Sequence, residues 1–177
     1  MNAINHPHIF MRSVATRDAS GEVPGYISAM IDACRLAQFD LIIIETPGIG
    51  QGNAAIVPLV DTSLYVMTPE FGAQSQLEKI DMLDFADFVA INKFDRKGAD
   101  DAFRDVSKQV QRNREAFSTP VDEMPVYGTM AARFNDDGLT ALYQGLLQRL
   151  GELGLDISDD LLPATESSKS TGKHVIV

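Results

Sequence analysis

Short apolar runs alternate along this chain with longer segments in which apolar residues recur every three or four positions. The short runs predict strands and the longer period predicts helices, and their alternation is typical of an α/β domain with a mainly parallel sheet. We predict five strands, over HIFMRSVA, FDLIIIE, SLYVM, DFVAIN and MPVYGT. In LIIIE and FVAIN the apolar residues are consecutive, which predicts central strands covered on both faces.

Three segments carry an apolar face at helical spacing. Their members are Ile27, Met30, Ile31 and Cys34; Phe103, Val106, Val110 and Phe117; and Leu139, Leu142, Tyr143, Leu146, Leu147, Leu150 and Leu153. We expect the last of these faces to pack in the core rather than to bind a partner. Because the composition changes near its end, we predict a domain over residues 1–157 and a linker toward a downstream domain over residues 158–177.

Composition and charge narrow the classes of partner. The chain has 177 residues, of which 45% are hydrophobic, and this is enough for one domain with a buried core. Its net charge of -10 argues against nucleic acid, and since no apolar run is long enough to span a bilayer we expect no membrane partner. The single cysteine, Cys34, fits a reducing, cytoplasmic setting.

The run FVAINKFD ends a predicted strand on the pattern Asn-Lys-x-Asp, which we call the base loop (Asn92 to Asp95). An aspartate carboxylate accepts two hydrogen bonds from guanine, which adenine does not offer in that arrangement, so Asp95 is the predicted reader of the base. We expect Asn92 to hold the loop and the stem of Lys93 to cover the ring. The alternative is a polar turn after a strand.

A second candidate follows the predicted strand FDLIIIE. That strand ends on Glu45 and enters a glycine-rich turn through Thr46, Gly48 and Gly50. A carboxylate at a strand tip can hold hydrated Mg²⁺, and glycines allow a close approach to a ligand. The alternative is a tight turn between a strand and a helix.

A third candidate is the small-residue turn, Gly128 to Ala131, which follows the last predicted strand. In GTP-binding domains the backbone amides of such a turn meet the carbonyl oxygen of guanine. On its own this signal is weak, because small residues also serve ordinary turns.

Together these residues resemble the GTPase domains fused to bacterial isobutyryl-CoA mutases and, more distantly, the GTPase chaperone of methylmalonyl-CoA mutase. The likeness lies in the Glu-x-x-Gly turn, the following QGNAAIVPLVD and the loop Asn-Lys-Phe-Asp, which occur in family-like order over roughly residues 1–157. Both relatives belong to the metallochaperone branch of P-loop GTPases. The implied fold is a three-layer α/β P-loop NTPase-like domain.

The resemblance implies a chaperone that uses GTP binding and hydrolysis to gate delivery of adenosylcobalamin to an acyl-CoA mutase and to protect that mutase, an isomerase. The implied cofactors are GTP or GDP and Mg²⁺, with adenosylcobalamin in the parent mutase, and the implied partners are mutase domains and a second copy of the parent. The implied residues are Asn92, Lys93, Phe94, Asp95, Thr129 and Met130 for nucleotide, Glu45 and Thr46 for metal, and Gly48, Gly50, Gln51 and Lys79 for switches. The segment Thr68 to Lys79 is the implied extra switch, and its alternative role is core packing through Leu77, Ile80 and Leu83.

The chain departs from this family in one respect. No Gly-x-x-x-x-Gly-Lys-Ser/Thr occurs in it, although that motif surrounds the phosphates in P-loop proteins. We therefore expect a GTPase domain that lacks its first strand and phosphate-binding loop, and a piece that is inactive alone. Two alternatives remain: a nucleotide-independent module that docks on a mutase, and a GTPase for nickel insertion, which predicts more metal-binding histidines and cysteines than the three and one present.

Overall fold

A computed structural model describes residues 6–15, 23–46, 54–72, 74–157, 165 and 167–172. The chain divides into two compact units, Met1–Gly48 and Ile49–Val177. None of the helices in the described ranges is long and apolar enough to cross a membrane.

The first unit contains one described helix, α1 (Ile27–Leu36). Ile31 is its buried residue, and the other members of the predicted apolar face are half-buried, so that face is confirmed. The two strands predicted in this unit are wrong, since residues 9–15 and 41–46 form no strand and Ile43 is 81% exposed. A strand exists only beside a neighbour that takes its backbone hydrogen bonds, and neither run pairs with a strand among the described residues.

The second unit is built on a parallel sheet. Its described strands are β1 (Leu64–Met67), β2 (Phe88–Asn92) and β3 (Val126–Thr129), in the order β1-β2-β3. These are three of the predicted strands, and FVAIN is the central one, as its consecutive apolar residues predicted. The α/β fold class is confirmed.

The helices of this unit connect the strands and cover the sheet. They are α2 (Gln74–Leu77), α3 (Met82–Phe85), α4 (Ala99–Asn113) and α5 (Asp137–Glu152), with short 3₁₀ turns at Val57–Leu59, Pro69–Phe71 and Val121–Glu123. Parallel neighbours need such crossovers because the end of one strand and the start of the next lie at opposite edges of the sheet.

The larger core lies on the sheet face that α4 covers. Val89 and Ile91 of β2, Val126 of β3 and Val106 and Val110 of α4 are all 0% exposed. Alternate residues of a strand point to opposite faces, so Phe88 and Ala90 form a smaller cluster with Leu142 of α5 on the other side.

Two predictions about apolar faces need correction. Phe117 lies beyond the end of α4 and is 69% exposed, because the helix stops at Asn113. The apolar face of α5 packs only in part: Leu142 is buried, whereas Leu139, Tyr143 and Leu153 are exposed. The described sheet has only three strands, and α5 contacts it mainly through β3, so part of its apolar face lies beyond the sheet.

Residues 167–170 lie against β3, within the segment predicted as a linker. The N–H of Gly128 donates to the carbonyl of Ser168 at 3.0 Å, and the N–H of Ser170 donates to the carbonyl of Gly128 at 2.8 Å. Gly138 makes this approach possible, since a Cβ there would stand 1.8 Å from the Gly128 carbonyl oxygen and 2.7 Å from the Ser170 nitrogen. The proposed domain boundary at residue 157 remains a prediction.

Candidate functional site

The base loop and the small-residue turn leave the sheet side by side. Asn92 ends β2, Thr129 ends β3, and the two are register partners. The strands are parallel, so both segments emerge at the carboxyl edge, where open α/β sheets bind ligands. The sheet thus brings together two of the three predicted candidates.

Asn92 ties the base loop to the small-residue turn. Its Oδ1 accepts a hydrogen bond from the N–H of Ala131 at 3.1 Å and a longer one from the hydroxyl of Thr129 at 3.5 Å. Thr129 is buried, so this contact lies at the base of the loops. With Oδ1 occupied, the Nδ2 group of Asn92 retains its donors for a ligand.

The base loop turns sharply after Asn92. Lys93 has φ of +59°, in the left-handed region that non-glycine residues seldom adopt. The next residue returns to the sheet, where the N–H of Phe94 donates to the carbonyl of Thr129 at 3.0 Å. A residue keeps such an unfavourable backbone conformation only where surrounding contacts stabilise it, and such residues cluster at functional sites.

The side chain of Phe94 anchors this turn in the core. It is 9% exposed, and its ring packs edge-on against Phe103 of α4 at 5.9 Å between centroids. A Cβ on Gly128 would lie 2.6 Å from the Phe94 ring, so only glycine leaves room for the ring there. Phe94 therefore supports the loop from beneath, while Lys93 and Asp95 on either side of it are exposed. The Asp95 carboxylate forms no ion pair with any residue in the described ranges.

Sequence reasoning missed Asp136, which is buried at 3% exposure beneath the small-residue turn. Its Oδ2 accepts hydrogen bonds from the N–H of Met130 at 3.1 Å and from the N–H of Leu139 at 2.9 Å. Asp136 is the residue before α5, a position that favours aspartate as a helix cap. That signal was available in the sequence, although the bond to Met130 was not.

A second missed contact links the extra switch segment to the base loop. Glu70 forms an ion pair with Arg96, the residue after Asp95. A hydrogen bond from Thr68, and then the bond from Arg96, lower the pKa of Glu70 from 4.5 to about 2.

The alternative packing role of the extra switch segment is confirmed, since Leu77, Ile80 and Leu83 are buried. Lys79 is exposed beside them. The segment thus pairs a core-facing side with exposed polar residues, and its role as a switch remains a prediction.

The residues predicted to bind metal lie in the first unit. Glu45 is exposed and Thr46 is half-buried. One carboxylate and one hydroxyl fill only a small part of the octahedral shell of Mg²⁺, and the described residues contain no group of three or more potential side-chain ligands of the His, Cys, Asp and Glu types. These residues alone do not make a Mg²⁺ site. Gly48, Gly50 and Gln51, predicted as switch residues, lie outside the described residues.

Comparison with known proteins shows the family of this chain. A family model described as methylmalonyl Co-A mutase-associated GTPase MeaB matches residues 1–149. The chain belongs to this GTPase family. Membership confirms the resemblance drawn from the Asn-Lys-x-Asp loop and the glycine-rich turn.

Similar individual proteins fall into two groups. A fused isobutyryl-CoA mutase of Cupriavidus metallidurans is 67% identical over 177 residues, covering 100% of this chain and 16% of that protein. A fused isobutyryl-CoA mutase of Nocardia farcinica is 61% identical over 171 residues, covering 97% of this chain and 16% of that protein. A putative GTPase of Pyrococcus horikoshii is 32% identical over 127 residues, covering 70% of this chain and 39% of that protein. The chain therefore spans a small part of the length of the fused mutases it matches.

Proposed function

We propose that this chain is the guanine-reading part of a GTP-binding and GTP-hydrolysing chaperone. In this proposal the chaperone gates the delivery of adenosylcobalamin to an acyl-CoA mutase of the isobutyryl-CoA type and protects that mutase. The observation that carries the proposal is the pairing of Asn92 with Thr129, which sets the base loop beside the small-residue turn. Family membership and the names of the fused relatives support the link to a mutase.

The base loop would read guanine by hydrogen bonding. The Asp95 carboxylate is exposed and accepts two donors on the Watson–Crick edge of guanine, an arrangement that adenine cannot match. The Nδ2 group of Asn92 donates to the purine edge, because its Oδ1 is held by the small-residue turn. The stem of Lys93 covers one face of the ring.

Thr129 and Met130 belong to the second wall of the proposed base site. The hydroxyl of Thr129 donates a hydrogen bond to the side chain of Asn92. Met130 precedes Ala131, whose N–H also donates to Asn92. Phe94, the remaining residue implied for nucleotide binding, is buried and supports the site from the core. Because the N–H groups of Met130 and Ala131 donate to Asp136 and Asn92, this wall acts by holding the Asn92 side chain in place.

The phosphates of the nucleotide require a binding loop, and these 177 residues contain no Gly-x-x-x-x-Gly-Lys-Ser/Thr motif. We propose that a phosphate-binding loop elsewhere in the complete protein holds the phosphates and that Glu45 and Thr46 add to a Mg²⁺ site completed there. The switches would be Gly48, Gly50 and Gln51, together with the segment ending at Lys79. Through these, nucleotide state would reach the mutase.

The remaining parts of the proposal concern the whole protein. Adenosylcobalamin supplies radical chemistry to the enzyme that holds it, and a mutase that rearranges an acyl-CoA is therefore the proposed recipient. We place the protein in the cytoplasm, as a homodimer with mutase domains in the same chain or a separate subunit. Nucleic acid and membranes are not proposed partners.

A second candidate function is a nucleotide-independent module that docks on a mutase. The observation in its favour is the exposed apolar surface formed by Leu139 and Tyr143 of α5 and by Leu153, which follows this helix. The two functions differ in one respect that can be measured, since only the first requires guanine binding.

The test is base choice in the complete protein. Asp95→Asn should weaken GDP binding by about 1–3 kcal/mol, because a buried hydrogen-bond partner loses its acceptor, and should improve binding of xanthosine diphosphate. Asp105→Asn, a substitution of the same kind on α4, is the control and should leave both affinities unchanged. Unchanged GDP affinity in Asp95→Asn would remove Asp95 from the site and favour the docking module.

A further inference from the structure

Asp136 makes two bonds where a helix cap requires one. The cap bond goes to the N–H of Leu139 in the first turn of α5, at 2.9 Å. The second bond leaves the helix and goes to the N–H of Met130, at 3.1 Å. One carboxylate oxygen thus joins the start of α5 to the small-residue turn.

The length of the side chain at this position is explained by the second hydrogen bond. Serine caps helices as well as aspartate does and places no charge in a buried site. Asp136 is 3% exposed, and its other oxygen, Oδ1, is buried without a hydrogen-bond partner among the described residues. Burial of a charged group is unfavourable unless specific bonds offset it. The longer reach to Met130 is what aspartate adds over serine.

The bond to Met130 acts on the proposed base site through the next residue. The N–H of Met130 points to Asp136, and the N–H of Ala131 points to Asn92, at 3.1 Å. Successive amides of the turn are therefore held from two sides. Asn92 fixes the turn to the base loop, and Asp136 fixes it to α5.

We propose that Asp136 is a positioning residue for guanine recognition, which holds the small-residue turn at the distance from Asn92 that the base requires. The proposal rests on the proposed function, because it assigns Asp136 a role in the same site. Asp136 does not touch the nucleotide and acts through the backbone of Met130 and Ala131.

Three substitutions in the complete protein separate positioning from capping. Asp136→Asn keeps an acceptor of the same reach and should leave GDP affinity within about twofold of wild type. Asp136→Ser keeps the cap to Leu139 but is too short to reach Met130, and should weaken GDP about tenfold, the equivalent of one hydrogen bond. Thr140→Val is the matched control, because it removes the 3.0 Å bond from the Thr140 hydroxyl to the Asp136 carbonyl in the same helical turn without touching Met130.

The kinetic readout distinguishes positioning from lost stability. Asp136→Ser should raise the KM for GTP and leave kcat unchanged, whereas Thr140→Val should change neither. A lowered unfolding temperature in Asp136→Ser with unchanged GDP affinity would overturn the proposal and leave Asp136 a helix cap. Equal weakening of GDP binding by Thr140→Val would overturn it as well.

Hydrogen exchange on the unmodified GDP-bound protein keeps the test independent of variant folding. The Met130 amide should exchange as slowly as the Leu139 amide, because both donate to Asp136. Exchange of Met130 at the rate of an open loop would contradict the proposal. Asp95→Asn distinguishes a failure of the positioning role of Asp136 from a failure of the base site itself. If it weakens GDP binding while Asp136→Ser does not, only the positioning role fails, and if neither does, the base site itself fails.

Discussion

The two faces of the sheet differ in how completely they are packed. On the face toward α4, Val89, Ile91 and Val126 have no exposed surface. On the face toward α5, Ala90 is buried, but its register partner Val66 on β1 is 56% exposed. We call the face toward α4 the closed face and the face toward α5 the open face. The closed face anchors the base loop through Phe94.

This difference shows which interactions hold the proposed base site in place. Phe94 belongs to the same cluster as Ile91 and Val106, so the base loop is built into the largest core of the unit. The open face has apolar surface that α5 does not reach. We therefore expect loop geometry to depend strongly on residues of the closed face and weakly on those of the open face.

The largest effect is expected from the anchor of the base loop. Phe94→Ala should lower the free energy of unfolding by about 3–5 kcal/mol, because it leaves a cavity beside Phe103. Phe134→Ala is the control, since Phe134 is exposed, and should change stability by less than about 0.5 kcal/mol. Chemical denaturation of both variants measures the difference. Similar losses in the two would show that the loop is not anchored through Phe94.

The comparison of faces is tested directly by one position on each face, in neighbouring strands. Ile91→Ala, on the closed face, should cost about 2–5 kcal/mol of unfolding free energy. Val66→Ala, on the open face of the neighbouring strand, should cost less than about 1 kcal/mol, since its side chain is half in solvent. Equal costs in the same denaturation experiment would mean that the open face is covered in the complete protein.

An intermediate effect is expected at the contact of β3 with residues 167–170. Gly138→Ala places a methyl group against the Gly128 carbonyl and should cost about 1–3 kcal/mol, the usual range for overpacking. Gly25→Ala is the matched control, because a Cβ there meets nothing within 4 Å. Thermal unfolding of both variants gives the comparison. A tolerated Gly138→Ala would mean that the start of α5 does not approach the Gly128 carbonyl this closely.

The smallest effect is expected at the ion pair of Glu70 and Arg96, which is exposed. The pKa of Glu70 is lowered to about 2 by Thr68 and Arg96, so any stabilisation is fully present above the ordinary value of 4.5 and is lost as pH falls through about 2. Glu70→Gln should thus leave the unfolding midpoint at pH 7 nearly unchanged, because exposed pairs contribute little. A carboxyl titration by NMR that places Glu70 at its ordinary value would show that the pair does not form.

Sequence patterns correctly predicted the three strands that are described in the second unit. The runs SLYVM, DFVAIN and MPVYGT became β1, β2 and β3, because each has a described neighbour. The run FDLIIIE has the same composition but no described neighbour, and Ile43 in it is exposed. Strand propensity therefore gave no information on whether a partner strand is present.

The part of the candidate site that is formed by residues close together in the sequence was predictable. Asn92 and Asp95 stand in a recognisable pattern, and the β2–β3 register then places Asn92 beside Thr129. Asp136 and Arg96 could not be assigned, since their partners, Met130 and Glu70, are fixed only by tertiary structure. Contacts between side chains and distant backbone carry no periodic signal in a sequence.

The central claim is a division of the nucleotide site, in which this chain binds the base and another part of the complete protein binds the phosphates. The most direct test is an NMR titration of the 177-residue chain with GTP and Mg²⁺, with guanosine, and with adenosine. We expect guanosine to shift the amides of Asn92, Asp95 and Ala131 and adenosine to leave them unchanged, with affinities no better than roughly millimolar. GTP should bind no tighter than guanosine and should not be hydrolysed, because the phosphates find no Gly-Lys-Ser/Thr loop and meet a net charge of -10. Micromolar GTP binding that is lost when the phosphates are removed, or measurable hydrolysis, would contradict this division.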